Sequence, residues 1–184
     1  MVGYRLQDER MQMEEWATLK PTVGMGQLPV LHVDHKQLCE SLAIARYMAR
    51  ETGVLGKTHL DMALADMFVD GVNDLNRSLM LPLKANIQGE AEKALELYQQ
   101  FRAEALAPLM ARYERRLVTQ GTGYLVGGAL TWADLFVAEF LDRMQQIFDS
   151  ELLSEFPELQ KHRDMVHEIP AIKEYVTKRQ PSLI

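Results

Sequence analysis

The sequence predicts an α/β plus all-α chain: a small strand-containing unit followed by an all-helical one. Three observations predict it. Pro29-Val30-Leu31-His32-Val33 is a compact β-branched run, bounded by Gly26 and by Asp34-His35-Lys36, and reads as a strand entering a hairpin. From Thr58 onward apolar residues recur at helical spacing instead, beginning with Leu64, Phe68, Val72, Leu75 and Leu79. The change of period falls in the stretch 53–57, a natural linker that places the expected domains at 1–56 and 57–184.

In the first domain, residues 4–11 form a charge-rich extended segment and 13–20 a short helical one. Asp34-His35-Lys36 turns the chain into Gln37-Leu38-Cys39, and residues 41–51 carry a helical pattern that stops at Gly53. In the second domain, Pro82 is expected to end the first helical run. A second stripe runs through Leu95, Tyr98, Leu106, Leu109, Met110, Tyr113 and Leu117, and Pro108 must kink or break it. Residues 121–128 are a glycine-rich connection. Thr131-Trp132-Ala133-Asp134 then reads as a capping box flanked by Leu130 and Leu135, worth about 1 kcal/mol, and it opens a buried helix. Phe156-Pro157 and Ile169-Pro170 each precede a further helix, because proline is tolerated in a first turn. Residues 179–184 are a tail.

With 184 residues the chain can bury roughly 70% of its unfolded surface and needs no covalent staple. Its composition, 47% hydrophobic and 25% charged, is that of a globular protein, and no apolar run is long enough to span a membrane. A net charge of −6 argues against nucleic acid and against anionic membrane surfaces as partners. Cys39 is the sole cysteine, so no intramolecular disulfide forms; a reducing, cytoplasmic location is expected, with Cys39 a structural thiol. His32, His35, His59, His162 and His167 show no metal-ligand spacing, and there is no C-x-x-C and no phosphate loop.

Chemistry concentrates in a linked pair of segments. Gly26-Gln27-Leu28-Pro29-Val30-Leu31 is a loop whose proline opens a strand, and Glu40-Ser41-Leu42-Ala43-Ile44-Ala45-Arg46-Tyr47 is a helix opened by an acid and a serine. Leu28, before Pro29, offers a backbone N–H and C=O, while Ser41 and Glu40 stand where helix N-terminal amides bind a carboxylate. Trp16 and Lys20, one helical turn apart, can converge on a second carboxylate. Singly, each residue also has a plain structural role in core, surface or cap. On the first helix of the second domain, Asp70, Asn73 and Asp74 form a polar stripe, either a solvated face or carboxylates that reach a ligand amine.

Trp16…Lys20, Gly26-Gln27-Leu28-Pro29-Val30-Leu31, Glu40-Ser41-Leu42-Ala43-Ile44-Ala45-Arg46-Tyr47 and Leu130-Thr131-Trp132-Ala133-Asp134-Leu135 together resemble a cytosolic glutathione transferase of the sigma class, as do Phe156-Pro157-Glu158-Leu159 and Ile169-Pro170-Ala171-Ile172. That class includes glutathione-dependent prostaglandin D synthases and the lens crystallins of cephalopods. The resemblance implies a thioredoxin-like first domain and a homodimer of two-domain subunits. It also implies a cis Leu28–Pro29 bond, and glutathione as co-substrate or cofactor held by Trp16, Lys20, Gln27, Leu28, Pro29, Glu40 and Ser41. Asp74 would reach the partner subunit's glutathione amine. Asp70 resembles a residue linked to divalent-ion effects in the prostaglandin synthases; Asn73 replaces a second such acid, so no metal site is assigned. Glu40 stands where the family often has glutamine.

The family reaction is conjugation of glutathione to a small electrophilic or apolar substrate, a detoxification chemistry, or isomerisation with glutathione as cofactor. The family's opening strand with Tyr-Phe, and its first helix with Arg-Gly-Arg, have no counterpart in these residues. Tyr4 is not the thiol-activating tyrosine, since Tyr4-Arg5-Leu6-Gln7-Asp8-Glu9-Arg10 resembles the family's second strand. The reading is therefore a truncated thioredoxin-like domain with no catalytic residue assigned. The alternatives are a non-catalytic, crystallin-like binding protein, or an incomplete or splice-variant form of an active transferase.

Overall fold

The computed structural model describes residues 7–179, which fall into two compact units divided between Glu51 and Thr52. In the first unit, helix α1 (Met13–Leu19) begins after Gln12, whose backbone N–H donates to Glu15 Oε2 at 2.8 Å. Glu14 and Glu15 place negative charge at the helix's positive end. A single 3₁₀ turn, Lys20–Thr22, carries the chain out of α1. Strands β1 (Val30–Val33) and β2 (Lys36–Cys39) pair antiparallel, from Val30 opposite Cys39 to Val33 opposite Lys36. Asp34 and His35 make the turn, and Asp34 adopts φ 52°, a left-handed conformation that a short polar side chain tolerates. Helix α2 (Ser41–Thr52) follows, with Ala49 its buried residue and an otherwise half-buried inner side.

Among the described residues the sheet has two strands. The charge-rich segment expected to be extended lies partly outside the described residues, and its described part, from Gln7 onward, joins no strand. Its side chains are spent on each other, Gln7 on Glu9 at 2.9 Å and Arg10 on Asp8 at 3.0 Å. With no apolar alternation to bury, nothing draws it onto a sheet face.

The described elements of the second unit are helical: α3 (His59–Asn73), α4 (Asn76–Ile87), α5 (Ala91–Phe101), α6 (Ala107–Gln120), α7 (Trp132–Ile147), α8 (Pro157–His167) and α9 (Pro170–Lys178). Helix α3 opens with a reciprocal cap: Thr58 N–H donates to Asp61 Oδ2 at 3.0 Å and Asp61 N–H to Thr58 Oγ1 at 3.1 Å. Gly56 precedes it at φ 133°, where a Cβ would lie 2.8 Å from Met62 N, so only glycine fits the approach.

Two expectations are corrected here. Pro82 does not end a helix; it lies buried inside α4. An interior proline forfeits a backbone hydrogen bond and costs about 3 kcal/mol. On the same helix Leu79 and Leu83 are buried, each worth about 1.5–3 kcal/mol, which offsets that cost as α4 packs on α5. Leu95 is 52% exposed, because the inner side of α5 is Ala94, Tyr98 and Phe101, and Leu95 is rotated away from it.

The distortion expected at Pro108 takes the form of a widened π turn over Arg102–Leu106, in which Ala107 N–H donates to Arg102 O, five residues back. Proline has no N–H for the carbonyl of Glu104, and the wider turn absorbs the mismatch while the chain continues into α6. The core is centred on α3, α7 and the π turn ahead of α6, where Ala65, Val69, Leu106, Val137, Ala138 and Met144 are at most 1% exposed. Glu114 on α6 accepts from the N–H groups of Glu158 and Leu159, at 2.9 and 2.8 Å, and so caps α8 from outside.

Candidate functional site

The polar residues singled out in the first unit lie in three consecutive local settings. Trp16, half-buried, and Lys20, exposed, sit at the end of α1, where Lys20 N–H donates to Trp16 O. The chain then passes through Gly26 at φ 62° to Gln27 and Leu28, both exposed, and across a cis Leu28–Pro29 peptide into β1. Gln37 on β2 steadies the approach by accepting from Gly24 N–H at 3.0 Å. After β2, Glu40 turns the backbone at φ 71°, and its carbonyl accepts the first α2 bond from Ile44 N–H at 2.9 Å. Ser41, exposed, is then the first residue of α2.

Among the described residues no side-chain hydrogen bond or ion pair engages the Lys20 ammonium, the Gln27 amide, the Glu40 carboxylate or the Ser41 hydroxyl. The set is chemically mixed: an ammonium for a carboxylate, an amide and hydroxyl for hydrogen bonds, and one acid beside the hydroxyl. It suits a small zwitterionic peptide with carboxylates at both ends.

In the second unit, Asp70 and Asn73 occupy the outer side of α3 and Asp74 is its C-cap, donating its N–H to Asp70 O at 2.9 Å. All three are exposed, with the apolar residues Phe68, Val69 and Val72 turned inward. Among the described residues no cluster of three or more His, Cys, Asp or Glu side chains is placed to hold a metal ion.

A buried polar centre lies under the capping box of α7. Asp134, 0% exposed, accepts from Thr131 N–H at 2.7 Å, Thr131 Oγ1 at 2.8 Å and Leu125 N–H at 2.8 Å. Its Oδ1 also lies 3.0 Å from Nε2 of His162 on α8, likewise buried. Nδ1 of His162 meets no partner among the described residues, so the geometry favours the tautomer that donates from Nε2. The box itself is legible in Thr131-x-x-Asp134. His162 is not, because a lone histidine in a helical stripe carries no local signal. The same box signal, Thr58-x-x-Asp61, marks the start of α3.

Residues 1–50 match the family described as "Glutathione S-transferase, N-terminal domain", and residues 73–179 match "Glutathione S-transferase, C-terminal domain". The chain belongs to the glutathione S-transferase family. Glutathione S-transferase 3 of Caenorhabditis elegans is 36% identical over 185 residues, covering 97% of this chain and 86% of the relative. A monomeric glutathione S-transferase of Necator americanus, Na-GST-3, superposes with a TM-score of 0.84 at 33% identity, over 96% of this chain and 85% of that one. Prostaglandin synthase D of Nilaparvata lugens superposes with a TM-score of 0.81 at 31% identity, over 95% and 86% respectively.

The fold class is thus that of a glutathione S-transferase: a thioredoxin-like N-terminal domain, with a two-stranded sheet among the described residues, and an all-helical C-terminal domain. Proteins of this family use glutathione as a co-substrate.

Proposed function

We propose that this transferase chain holds glutathione along the stretch from Trp16 to Ser41. The supporting observation is the unspent donor set beside the cis Leu28–Pro29 peptide. In this reading Trp16 and Lys20 take the glycyl carboxylate, the main chain of Leu28 pairs with the cysteinyl peptide, and Gln27 and Ser41 serve the remaining polar groups. Ser41 meets the γ-glutamyl carboxylate at the start of α2. Asp74 serves the amine of glutathione bound to the partner subunit of a sigma-class-like homodimer. The chemistry is addition of the glutathione sulfur to a small electrophilic carbon, with loss of a leaving group or uptake of a proton. Isomerisation with glutathione regenerated is the variant that likeness to a prostaglandin synthase supports. A reducing, cytoplasmic location fits the single half-buried Cys39.

Binding and thiol activation are separable. A free thiol has a pKa of about 8.5, so only a few per cent is thiolate at neutral pH, and a hydroxyl donor to sulfur is needed to change that. No residue of the stretch from Trp16 to Ser41 is assigned that role. The 184-residue polypeptide is therefore expected to bind S-hexylglutathione in calorimetry while leaving the conjugation of an aryl halide near its uncatalysed rate. Fusing a family first strand and helix ahead of Met1, with its tyrosine, is expected to raise the rate; the same fusion with phenylalanine is not. Turnover by the 184-residue polypeptide equal to that of the tyrosine fusion would sink the assignment. Absence of binding by all three would sink the cradle itself.

A further inference from the structure

We propose that α9 is a detachable strap: it leaves the surface of α8 as one unit while the rest of the helical domain stays folded, with Asp142–Arg179 as its latch. Four observations lead there. No residue of α9 is buried; Ile172 and Val176 are only half-buried and Tyr175 is 56% exposed. The strap is joined to α8 through Glu168 and Ile169, where the helical conformation is interrupted and Pro170 starts a new helix. Two of its charges are spent locally, Lys178 on Glu174 at 2.6 Å and Lys173 on Glu168 at 2.7 Å. Among the described residues, one ion pair reaches from α9 or its cap past α8: Arg179 Nη2 to Asp142 Oδ2 on α7, at 3.7 Å.

Asp142 suits a latch. It is 13% exposed and is already approached by Arg163 of α8 at 3.6 Å and by Gln146 of its own helix at 2.5 Å. Releasing Arg179 therefore leaves Asp142 with partners, so opening does not strand a charge. At the other end, among the described residues, the hold is to the adjoining cap of α8 alone: the N–H of Lys173 bonds Ile169 O, and its ammonium pairs with the exposed Glu168. A nine-residue helix is marginal in water on its own, so undocking and unwinding coincide. Local openings of this kind are drawn from the segments with least burial.

The test is hydrogen exchange on the full chain, comparing amides 173–179 with those of α7 and α8. α9 is expected to exchange at least tenfold faster than α7. Arg179→Gln and Asp142→Asn are each expected to speed exchange evenly along α9 by about two- to fivefold, the range for a partly exposed ion pair. The double variant is expected to be no faster than either single one, and raising salt to 0.5 M to mimic them. Lys178→Gln, which breaks only a pair within the helix, is the control and leaves amides 173–176 unchanged. Protection of α9 equal to that of α7 overturns the proposal. So does acceleration confined to the last turn, which is fraying, or acceleration shared by α8, which makes the opening unit larger than the strap.

Discussion

Two acidic residues sit in opposite surroundings, one free among the described residues and one fully engaged. Glu40 is exposed and unpaired among the described residues, and it stands next to the serine proposed to meet the γ-glutamyl carboxylate. Two like charges about 4 Å apart repel by about 1 kcal/mol in water. Glu40→Gln is therefore expected to tighten glutathione about fivefold by calorimetry, and unchanged or weaker binding would place the carboxylate on the ligand's amine instead. Asp134 is the opposite case, since four donors converge on it at 0% exposure. Asp134→Ala strands two backbone amides, a hydroxyl and an imidazole inside the unit, at about 3–5 kcal/mol. At roughly 2–4 °C per kcal/mol for a chain of this size, thermal unfolding should fall by about 6–20 °C. A loss no greater than that of a surface cap would show that water reaches the site.

At the scale of elements, what the sequence discloses is what is decided locally. Helices α8 and α9 begin at Phe156-Pro157 and Ile169-Pro170 because a proline in a first turn gives up an N–H that has no partner there anyway. The β1–β2 hairpin and the cap at Thr131 are equally local. Pro82 misleads because its cost is set by α4 alone while its compensation comes from packing on α5. Leu95 misleads because a stripe of mixed spacing does not say which of two adjacent residues faces inward. The proposed cradle rests on an ordered set of residue types, whereas the partnering of Asp134 with His162 joins positions 28 residues apart and leaves no pattern.

Gly71 makes the same point quantitatively. In an exposed helix interior Gly→Ala gains about 0.8–1.0 kcal/mol. Here a Cβ on Gly71 would run into the hydroxyl of Tyr113, which donates to Phe68 O at 2.6 Å and whose ionisation burial pushes far upward. Gly71→Ala is thus expected to destabilise by about 1–3 kcal/mol, the usual cost of overpacking. In a Tyr113→Phe background the cost should largely vanish. Denaturant unfolding of the four combinations measures the coupling, and simple additivity would show that the tyrosine moves aside freely.

For the whole molecule, the open question is association. The outer side of α3 carries Leu60 and Met67, seven residues apart and 68% and 53% exposed, beside Asp70 and Asp74. Apolar side chains two turns apart on one helical side, rimmed by charge, are what a helix presents to a partner. In the proposed homodimer this side is covered by a second copy, and Asp74 is carried to the partner subunit's glutathione. The contrast is concrete, because the Necator americanus relative is described as monomeric. Light scattering at micromolar concentration is expected to give twice the 21.1 kDa chain mass. Met67→Glu, which sets a charge into the apolar stripe, is expected to return it to a single chain mass with the helical circular dichroism unchanged, and Asp74→Asn to leave the mass doubled while weakening glutathione binding. A single chain mass for the unsubstituted protein, at concentrations where it binds S-hexylglutathione fully, would mean that the cradle works without a partner and that Asp74 has no part in it.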